Sequence, residues 1–525
     1  MVPHILKKDW RLLWPIVVAL VVLQGLLAGA RFGVGPFLNG LPTLPMALLE
    51  ILGAAIVIVL VVHQDQVPGT RQDWLVRPIA RRDLFLAKLL FVVALVQGPW
   101  FVSDFLQGLL NGFPVGQAAG AAIACAVWVL LTMSLPVLAF AAVTATMTET
   151  FLAALGVLAV VMAFLIVPSL VGATRPTALT GFAWVPSLVR EASWLLAAAG
   201  ALVLQYRSRR TFAARAVLAG ALLIGPCAAF LPWRTTFHLE QWLTAQSGDA
   251  AGITVAFAPG DGRFRPAPGQ SLDDVAEKPG FGPADAAAEG ERRRAEGART
   301  VFVPLRLSGL IPDSRLLADR SEVRLVGPDG SVVYEGAGED LELRATSDTA
   351  AVHQGIRVPG AVFGRVAAEP LEMQIDYWLT IFRPSGTYAL PAQGGDERMP
   401  GIGRCATKVD DAGTRVVFEC RQPGERPSCL TAVLEHTPTR TRNPEVSLCA
   451  PDYTPYPGHT LPDALARFGG RLPFSDPSGL IQYPVGGPQL SQSQVIVTAF
   501  SPTDHFSTRL VIPGVRLQDW EAHTR

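Results

Sequence analysis

The stretch DQVPGTRQDWLVRPIARRDLFLAK (residues 65–88) separates two apolar runs, each long enough to cross a membrane. Its basic side chains are Arg71, Arg77, Arg81, Arg82 and Lys88. Basic loops of membrane proteins stay on the cytoplasmic side, so the stretch indicates how the neighbouring helices are oriented.

Away from this stretch the chain divides into two halves of different composition. It has 525 residues, 50% of them hydrophobic, and no net charge, because 44 basic residues balance 44 acidic ones. Residues 12–232 are a series of apolar runs with few charges, whereas residues 233–525 are polar and rich in proline and glycine. This split predicts a membrane-embedded half followed by a water-exposed half.

The apolar half predicts about seven membrane-spanning helices. A helix needs roughly 20 apolar residues to cross the hydrocarbon layer. The candidate segments are residues 13–30, 45–63, 84–108, 118–146, 151–171, 190–206 and 213–232. The N-terminus reads as a basic amphipathic lead-in to the first span rather than as a cleaved signal peptide.

Charge asymmetry gives the orientation. With the N-terminus in the cytoplasm, the basic residues that fall on that side are those of the 64–83 loop together with Lys7, Lys8, Arg11, Arg207, Arg209, Arg210 and Arg215. The opposite loops carry Arg31, Arg175 and Arg190. Seven spans then place the C-terminal half outside the cytoplasm, in the manner of a multi-pass protein of the bacterial inner membrane.

The cysteines of the C-terminal half favour the same compartment. Cys405, Cys420, Cys429 and Cys449 lie close together in sequence, without the tight CxxC pairs typical of zinc sites. Two disulfides in an oxidising compartment are therefore the better interpretation. Three pairings are possible, of which Cys420–Cys429 with Cys405–Cys449 is weakly favoured.

Short Val-, Leu- and aromatic-rich runs dominate the C-terminal half. They are residues 301–307, 322–326, 331–336, 371–382, 414–420 and 494–500. Turn sequences separate them, such as Pro-Asp-Gly at 328–330 and VDDAGT at 409–414. The pattern predicts an all-β, sandwich-like extracytoplasmic domain over residues 300–525, after a transmembrane domain over residues 1–232 and an irregular linker over residues 233–299.

Neither half shows a catalytic or metal-binding motif in sequence. Asp504-His505, His436 and His459 read as isolated surface residues. Three acidic residues lie in or near the spans: Asp104 and Glu149 are expected at span ends, and Glu50 at a deeper contact between helices.

The 65–88 stretch also carries a family resemblance. Its segment DWLVRPIARRDLFLAKLL resembles the loop after the second span of ABC-2 type permeases, in which a W-L-x-R-P-[IV]-x-R-x-x-L-x-x-A-K pattern precedes the third span. KKDWRLLWP (7–15) resembles the interfacial helix at the start of those permeases. TATMTET (144–150) occupies the position of their tight turn between the fourth and fifth spans. Together these pieces cover residues 4–206.

The resemblance implies a transport subunit that is driven from outside the chain. In that family the loop after the second span docks into an ATPase subunit. The corresponding docking surface here is Arg71, Trp74, Leu75, Arg77, Pro78, Ile79, Arg81 and Arg82. The chain has no GxxxxGK[ST] motif, so ATP and Mg²⁺ would bind to the partner ATPase and this chain would carry no cofactor of its own.

The implied partners are the ATPase, a second permease (identical or different) and membrane lipids, without nucleic acid. The seventh span and the long β-rich half depart from the usual six-span plan of the family. Two alternatives therefore stay open. One is a non-transport anchor or sensor whose β-domain binds an envelope partner. The other is a membrane-bound enzyme with its site at the boundary between the spans and the β-domain.

Overall fold

The structure of the protein is a computed structural model. It describes residues 1–32, 43–65, 80–170, 184–228, 233–243, 248–261, 297–338, 342–344, 352–410, 415–422, 427, 429–443, 445–449, 466–473 and 490–521.

The described residues of the apolar half are mostly helical. Its α-helices are α1 (Val2–Phe32), α2 (Thr43–His63), α3 (Arg81–Phe91), α4 (Gly98–Leu110), α5 (Val115–Val129), α6 (Leu135–Val143), α7 (Met147–Leu170), α8 (Trp184–Ser208) and α9 (Thr211–Ala228). Two short π-helices, π1 (Val92–Gln97) and π2 (Leu130–Ser134), join α3 to α4 and α5 to α6.

Both π-helices end immediately before a proline-containing turn. Pro99 and Pro136 each lie in the first turn of the helix that follows. Proline lacks an N–H group, and its ring clashes with the carbonyl one turn earlier. The wider π-turn accommodates this clash without ending the helix. The runs 81–110 and 115–143 therefore continue past their prolines.

Within the described ranges, four helices are long and apolar enough to cross a membrane, judged by length and composition. They are Val2–Leu27, Arg81–Leu110, Val115–Val143 and Leu188–Ser208. Among the described residues, three shorter apolar helices accompany them: Leu48–His63, Met147–Val160 and Thr211–Ile224. The predicted helical, apolar half is thus confirmed, while the predicted number of about seven spans goes beyond these four.

Small residues bring the helices together. Ala54, Ala87 and Ala198 are fully buried in the core shared by α1, α2, α3, α6 and α8. At Gly108, an added Cβ would lie 2.7 Å from the Cβ of Ala118, so α4 and α5 approach as closely as a glycine permits. Small residues at helix contacts are typical of membrane helices, which gain stability from van der Waals packing.

The C-terminal half is built from antiparallel strands. They are β1 (Thr254–Phe257), β2 (Arg299–Ser308), β3 (Arg315–Val326), β4 (Val332–Ala337), β5 (Glu342–Arg344), β6 (Val352–Val358), β7 (Leu371–Pro391), β8 (Asp396–Met399), β9 (Gly403–Val409), β10 (Arg415–Gln422), β11 (Cys429–His436), β12 (Thr441–Arg442), β13 (Val446–Ser447), β14 (Ala466–Pro473) and β15 (Ser493–Val515). Two further helices are α10 (Trp233–Leu243) and α11 (Gly360–Val366).

Three sheets form two sandwiches that share their central sheet. The central sheet has the order β12-β11-β15-β7-β3-β4, with β13 beside β11 and β5 beside β3. The β1-β2-β6 sheet packs on the part that contains β3, and Val303, Val323 and Ile375 are fully buried between them. The β14-β10-β9-β8 sheet packs on the part that contains β11, around Phe418 and Val497. The long strands β7 and β15 line both cores.

The structure confirms the predicted strands. Each of the six Val-rich runs lies within or largely within a strand: β2, β3, β4, β7, β10 and β15. The predicted turn at 328–330 joins β3 to β4, where Gly330 adopts a φ of 81° and the Asp329 carboxylate accepts a hydrogen bond from the Ser331 N–H (3.0 Å). Positive φ is the conformation that glycine adopts most readily. Most of the second predicted turn, residues 411–414, lies outside the described residues.

The favoured disulfide pairing was wrong. Cys405 bonds to Cys420, and Cys429 bonds to Cys449. Cys405 and Cys420 are direct partners in the antiparallel register of β9 and β10, with Cα atoms 4.0 Å apart. Cys420 and Cys429 belong to different sheets, which removes the pairing favoured from sequence.

Part of the predicted linker has regular structure. Helix α10 begins at Trp233, and β1 pairs with β2 to become an edge of the first sandwich. Residues 262–296, which include the basic segment 290–297 apart from its last residue, lie outside the described residues.

Candidate functional site

A buried ion cluster joins the first three helices of the apolar half. The Lys88 ammonium on α3 lies 2.7 Å from Asp9 Oδ2 on α1 and 2.7 Å from Asp65 Oδ2, just after α2. Lys88 is 1% exposed and Asp9 is 0% exposed. A buried charge is stable only when it is paired and hydrogen-bonded, so this lysine fixes three chain segments at one point.

Lys8 completes the cluster. Its ammonium lies 2.6 Å from Asp65 Oδ1 and 3.6 Å from Asp9 Oδ1. Two lysines therefore face two aspartates, and the cluster is neutral overall. Burial raises the pKa of Asp65, but Lys88 and Lys8 lower it by more, so this pKa lies below its ordinary value.

The residues of the cluster come from both sides of the basic loop in sequence. Asp65 is the last described residue before the loop, and α3 begins just after it, at Arg81. Of the predicted docking residues, Arg81 lies in the first turn of α3 and donates to the Arg207 carbonyl at the end of α8 (3.3 Å). Arg82 is exposed beside it. Outside the described residues lie Arg71, Trp74, Leu75, Arg77, Pro78 and Ile79.

The predicted turn at 144–150 lies where α6 ends and α7 begins. Glu149, in the first turn of α7, accepts from the Ala145 N–H (2.6 Å) and pairs with Arg215 on α9. Arg215 also donates to the Val143 carbonyl (2.8 Å). A carboxylate at a helix N-terminus meets free N–H groups, which makes the turn compact.

Polar side chains are also buried along the helical run 81–110, which comprises α3, π1 and α4. Gln97 in π1 donates to the Ser134 hydroxyl in π2 (2.5 Å), so the two π-helices contact each other through a hydrogen bond. One turn later the Trp100 indole donates to the Glu50 carboxylate on α2. This is the interhelical contact expected for Glu50. Asp104 is buried farther along the same face.

The far end of this run contacts the β half. Arg404 on β9 donates to the Asn111 carbonyl (2.9 Å), and Arg421 on β10 donates to the Asn111 side-chain oxygen (2.9 Å). Arg398 on β8 donates to Gln117 at the start of α5 (2.6 Å) and lies over the Phe113 ring. From Lys88 to Asn111 the run rises roughly 35 Å, so the ion cluster and this arginine contact lie at opposite ends of the helices.

A second buried polar group lies within the β half, and its location corrects the prediction that Asp504 and His505 are surface residues. His505 is 4% exposed and Asp504 is 2% exposed. The Thr380 hydroxyl donates to Asp319 and lies 2.7 Å from His505 Nδ1. His505 Nε2 has no hydrogen-bond partner within the described structure.

Two β-bulges bring these groups together. Asp319 is the extra residue of β3 opposite β7, and Thr503 is the extra residue of β15 on the other side of β7. Bulges re-aim side chains and are frequent beside functional sites. Burial raises the pKa of Asp319 to about 7 and lowers the pKa of His505 to about 4.

The remaining sequence candidates lie apart from these groups. His436 ends β11, and His459 lies outside the described residues. Sequence reasoning missed the ion cluster because Lys88 was assigned to the basic loop. A lysine two turns inside an apolar helix and an aspartate inside an apolar N-terminal helix were the available signals.

Comparison with known proteins adds no relative. No protein-family model matches the chain, and no curated protein matches it.

Proposed function

We propose that the protein is the membrane-spanning permease subunit of an ABC-2 type transporter, driven by a separate ATPase subunit. The observation that carries the proposal is the basic loop together with its anchorage. The loop has the residue pattern of that family, and the buried contacts of Lys88 with Asp9 and Asp65 hold its two ends.

The anchorage suits a loop that receives force. A docking loop transmits movement only if its ends are fixed to the helices that have to move. Asp65 joins the loop to α2, Lys88 joins it to α3, and Asp9 extends the contact to α1. A displacement of the loop would thus be transmitted to three helices. The helical run that begins with α3 continues through π1 and α4 to the arginine contact at Asn111.

The proposal includes orientation and energy source. The ion cluster would face the cytoplasm, about seven helices would span the inner membrane, and the β half would lie outside the cytoplasm with its disulfides in an oxidising compartment. Since the sequence has no P-loop, ATP and Mg²⁺ would be bound by the partner, and a second permease would complete the translocation path.

One alternative has an observation in its favour. Three arginines of the β half contact the turn between α4 and α5 or the start of α5. Through these contacts, a conformational change in the β half could be transmitted to the helices. A sensor that binds an envelope partner would need such a link. In that case the protein would be isolated without an ATPase.

Charge reversal in the loop tests the proposal. We expect the triple variant Arg77→Glu, Arg81→Glu, Arg82→Glu to lower the amount of ATPase that co-purifies from membranes by roughly tenfold, because docking surfaces depend on a few arginines. Membrane insertion and the yield of the permease should stay unchanged.

The matched control is Arg210→Glu. Arg210 is exposed and lies between α8 and α9, at the same end of the helices as the ion cluster. It should keep the ATPase bound. If an ATPase co-purifies equally with both variants, the loop is not the docking surface. If no ATPase co-purifies with the wild-type protein, the sensor alternative is favoured.

A further inference from the structure

Helix α10 has two different faces. With 3.6 residues per turn, Arg234, Phe237 and Gln241 share one face, and Leu239 and Trp242, about 60° apart, lie outside it on the other side of the helix. The helix is short, amphipathic and separate from the apolar core of the helical half. Each face therefore needs its own partner.

The first face contacts the β half. Phe237 is 0% exposed and packs edge-on against the His505 ring, with 6.4 Å between ring centroids. Gln241 donates to the His505 carbonyl (3.1 Å). Arg234 pairs with Glu322 on β3 (2.9 Å) and lies over the Trp378 ring. These contacts fix α10 on the central sheet.

The other side of the helix carries large apolar side chains that no part of the described chain covers. Trp242 is 78% exposed, and Leu239 is exposed beside it. An exposed tryptophan forgoes the stabilisation that burial of its ring would give. Within the described part of the β half and its adjoining helix, few other large apolar side chains are this exposed.

The position of α10 along the chain indicates what covers this face. The helix begins five residues after α9 ends at Ala228, a separation of at most about 18 Å. Helix α9 itself exposes Leu223 and Ile224 near that end, as a lipid-facing helix does. The exposed apolar side chains of α10 therefore lie a short distance from those of α9.

We propose that α10 lies in the lipid–water interface beside the β half, with Leu239 and Trp242 in the acyl-chain boundary. Tryptophan and leucine on one face of a surface helix are typical of such interfacial helices. The opposite face then holds the central sheet against the membrane surface. The proposal requires that the helical half lies in a bilayer, but it does not require transport.

Depth-dependent quenching tests this placement. In a background with Cys125→Ala and Cys227→Ala, Trp242→Cys is labelled with bimane and the full chain is reconstituted in phosphatidylcholine–phosphatidylglycerol vesicles. The matched control is Val332→Cys on β4, which is likewise exposed. With brominated acyl chains, we expect the label at 242 to lose roughly half of its fluorescence and the label at 332 to lose almost none.

Two outcomes would overturn the proposal. Equal, weak lipid quenching at both positions, with strong quenching by aqueous iodide, would place α10 in water. Protection of position 242 from both quenchers, together with 242–242 cross-linking, would show that a second copy of the chain covers this face. Neither outcome depends on whether an ATPase binds, so the test is independent of the transport proposal.

Discussion

At the scale of single residues, Lys88 is a buried charge that joins three segments of the helical half. It is buried between two carboxylates from other segments. We expect Lys88→Met to destabilise the protein by about 3 kcal/mol, because it leaves buried carboxylates undercompensated. Thermal unfolding in detergent, followed by size-exclusion chromatography, would measure the loss.

Lys8 supplies the control for this prediction. It belongs to the same cluster, but its side chain is 42% exposed. Lys8→Met should cost at most about 1 kcal/mol. The double variant Asp9→Asn, Lys88→Met should recover much of the stability, since it removes the buried charge together with its partner. Equal losses for the two lysine variants would argue against the cluster as drawn.

Single residues were also where the sequence misled most. Asp504-His505 reads as a surface dipeptide because it completes no catalytic arrangement that can be recognised in the sequence. Strand β15 instead continues past Pro502 through a bulge and carries His505 beneath α10. A contact made by a helix more than two hundred residues earlier leaves no local pattern.

At the scale of elements, the polar contact across β3, β7 and β15 makes stability depend on pH. Asp319 has a folded-state pKa of about 7, above its usual 3.8, so its contribution is lost as the pH rises through that interval. His505 has a folded-state pKa of about 4, below its usual 6.5, so its contribution is lost as the pH falls. Between pH 4 and 6.5 the two slopes oppose each other.

Asp319→Asn should therefore expose the histidine slope. We expect the free energy of unfolding of the β half in this variant to rise by about 3 kcal/mol from pH 4 to 6.5, while the wild type changes little. Pulse proteolysis of the full chain in urea would measure both. Removing the histidine with His505→Phe should give the reverse slope. Identical profiles for all three proteins would mean that neither group titrates in this way.

The strands could be predicted from the sequence. One of the two disulfides could also have been predicted, although it was not. Alternating apolar residues mark β10 and the first half of β7, because each buries one face in a sandwich, whereas β2 is a continuous apolar run. The turn predicted at 409–414 implied a hairpin in which Cys405 and Cys420 lie at equal distances from the turn, four residues beyond the paired Val409 and Val416. Extending that register would have given the observed disulfide. Pro99 and Pro136 signal an irregularity in their helices, but they do not show that it takes the form of a π-helix.

At the scale of the whole molecule, the two halves meet at Asn111. Its carbonyl and side-chain oxygens accept from Arg404 and Arg421. We expect Asn111→Leu to weaken this contact, because Arg421 loses its acceptor, and hydrogen exchange in residues 111–117 should accelerate several-fold. Asn111→Asp should slow it, since a charged acceptor strengthens the bond.

The control for this contact is Arg442→Met. Arg442 pairs with Glu435 within the β half, where its side chain is 63% exposed. It should leave exchange at 111–117 unchanged. If Asn111→Leu also leaves this exchange unchanged, the arginine contact does not hold the halves together.

The division of the chain into an apolar helical half and a β half was evident from composition, because hydrocarbon and water select different residues. The contact between the halves was not, since it uses arginines and amides that occur on any polar surface. Only the folded chain brings Arg398 and Gln117 together across 281 positions in sequence.

Strands β7 and β15 are walls of both sandwiches, paired from Leu371 with Val515 at one end to Pro391 with Gln494 at the other. A break in either strand therefore removes part of two cores at once. We therefore expect the two sandwiches to unfold as one cooperative unit, and neither to fold when it is excised alone.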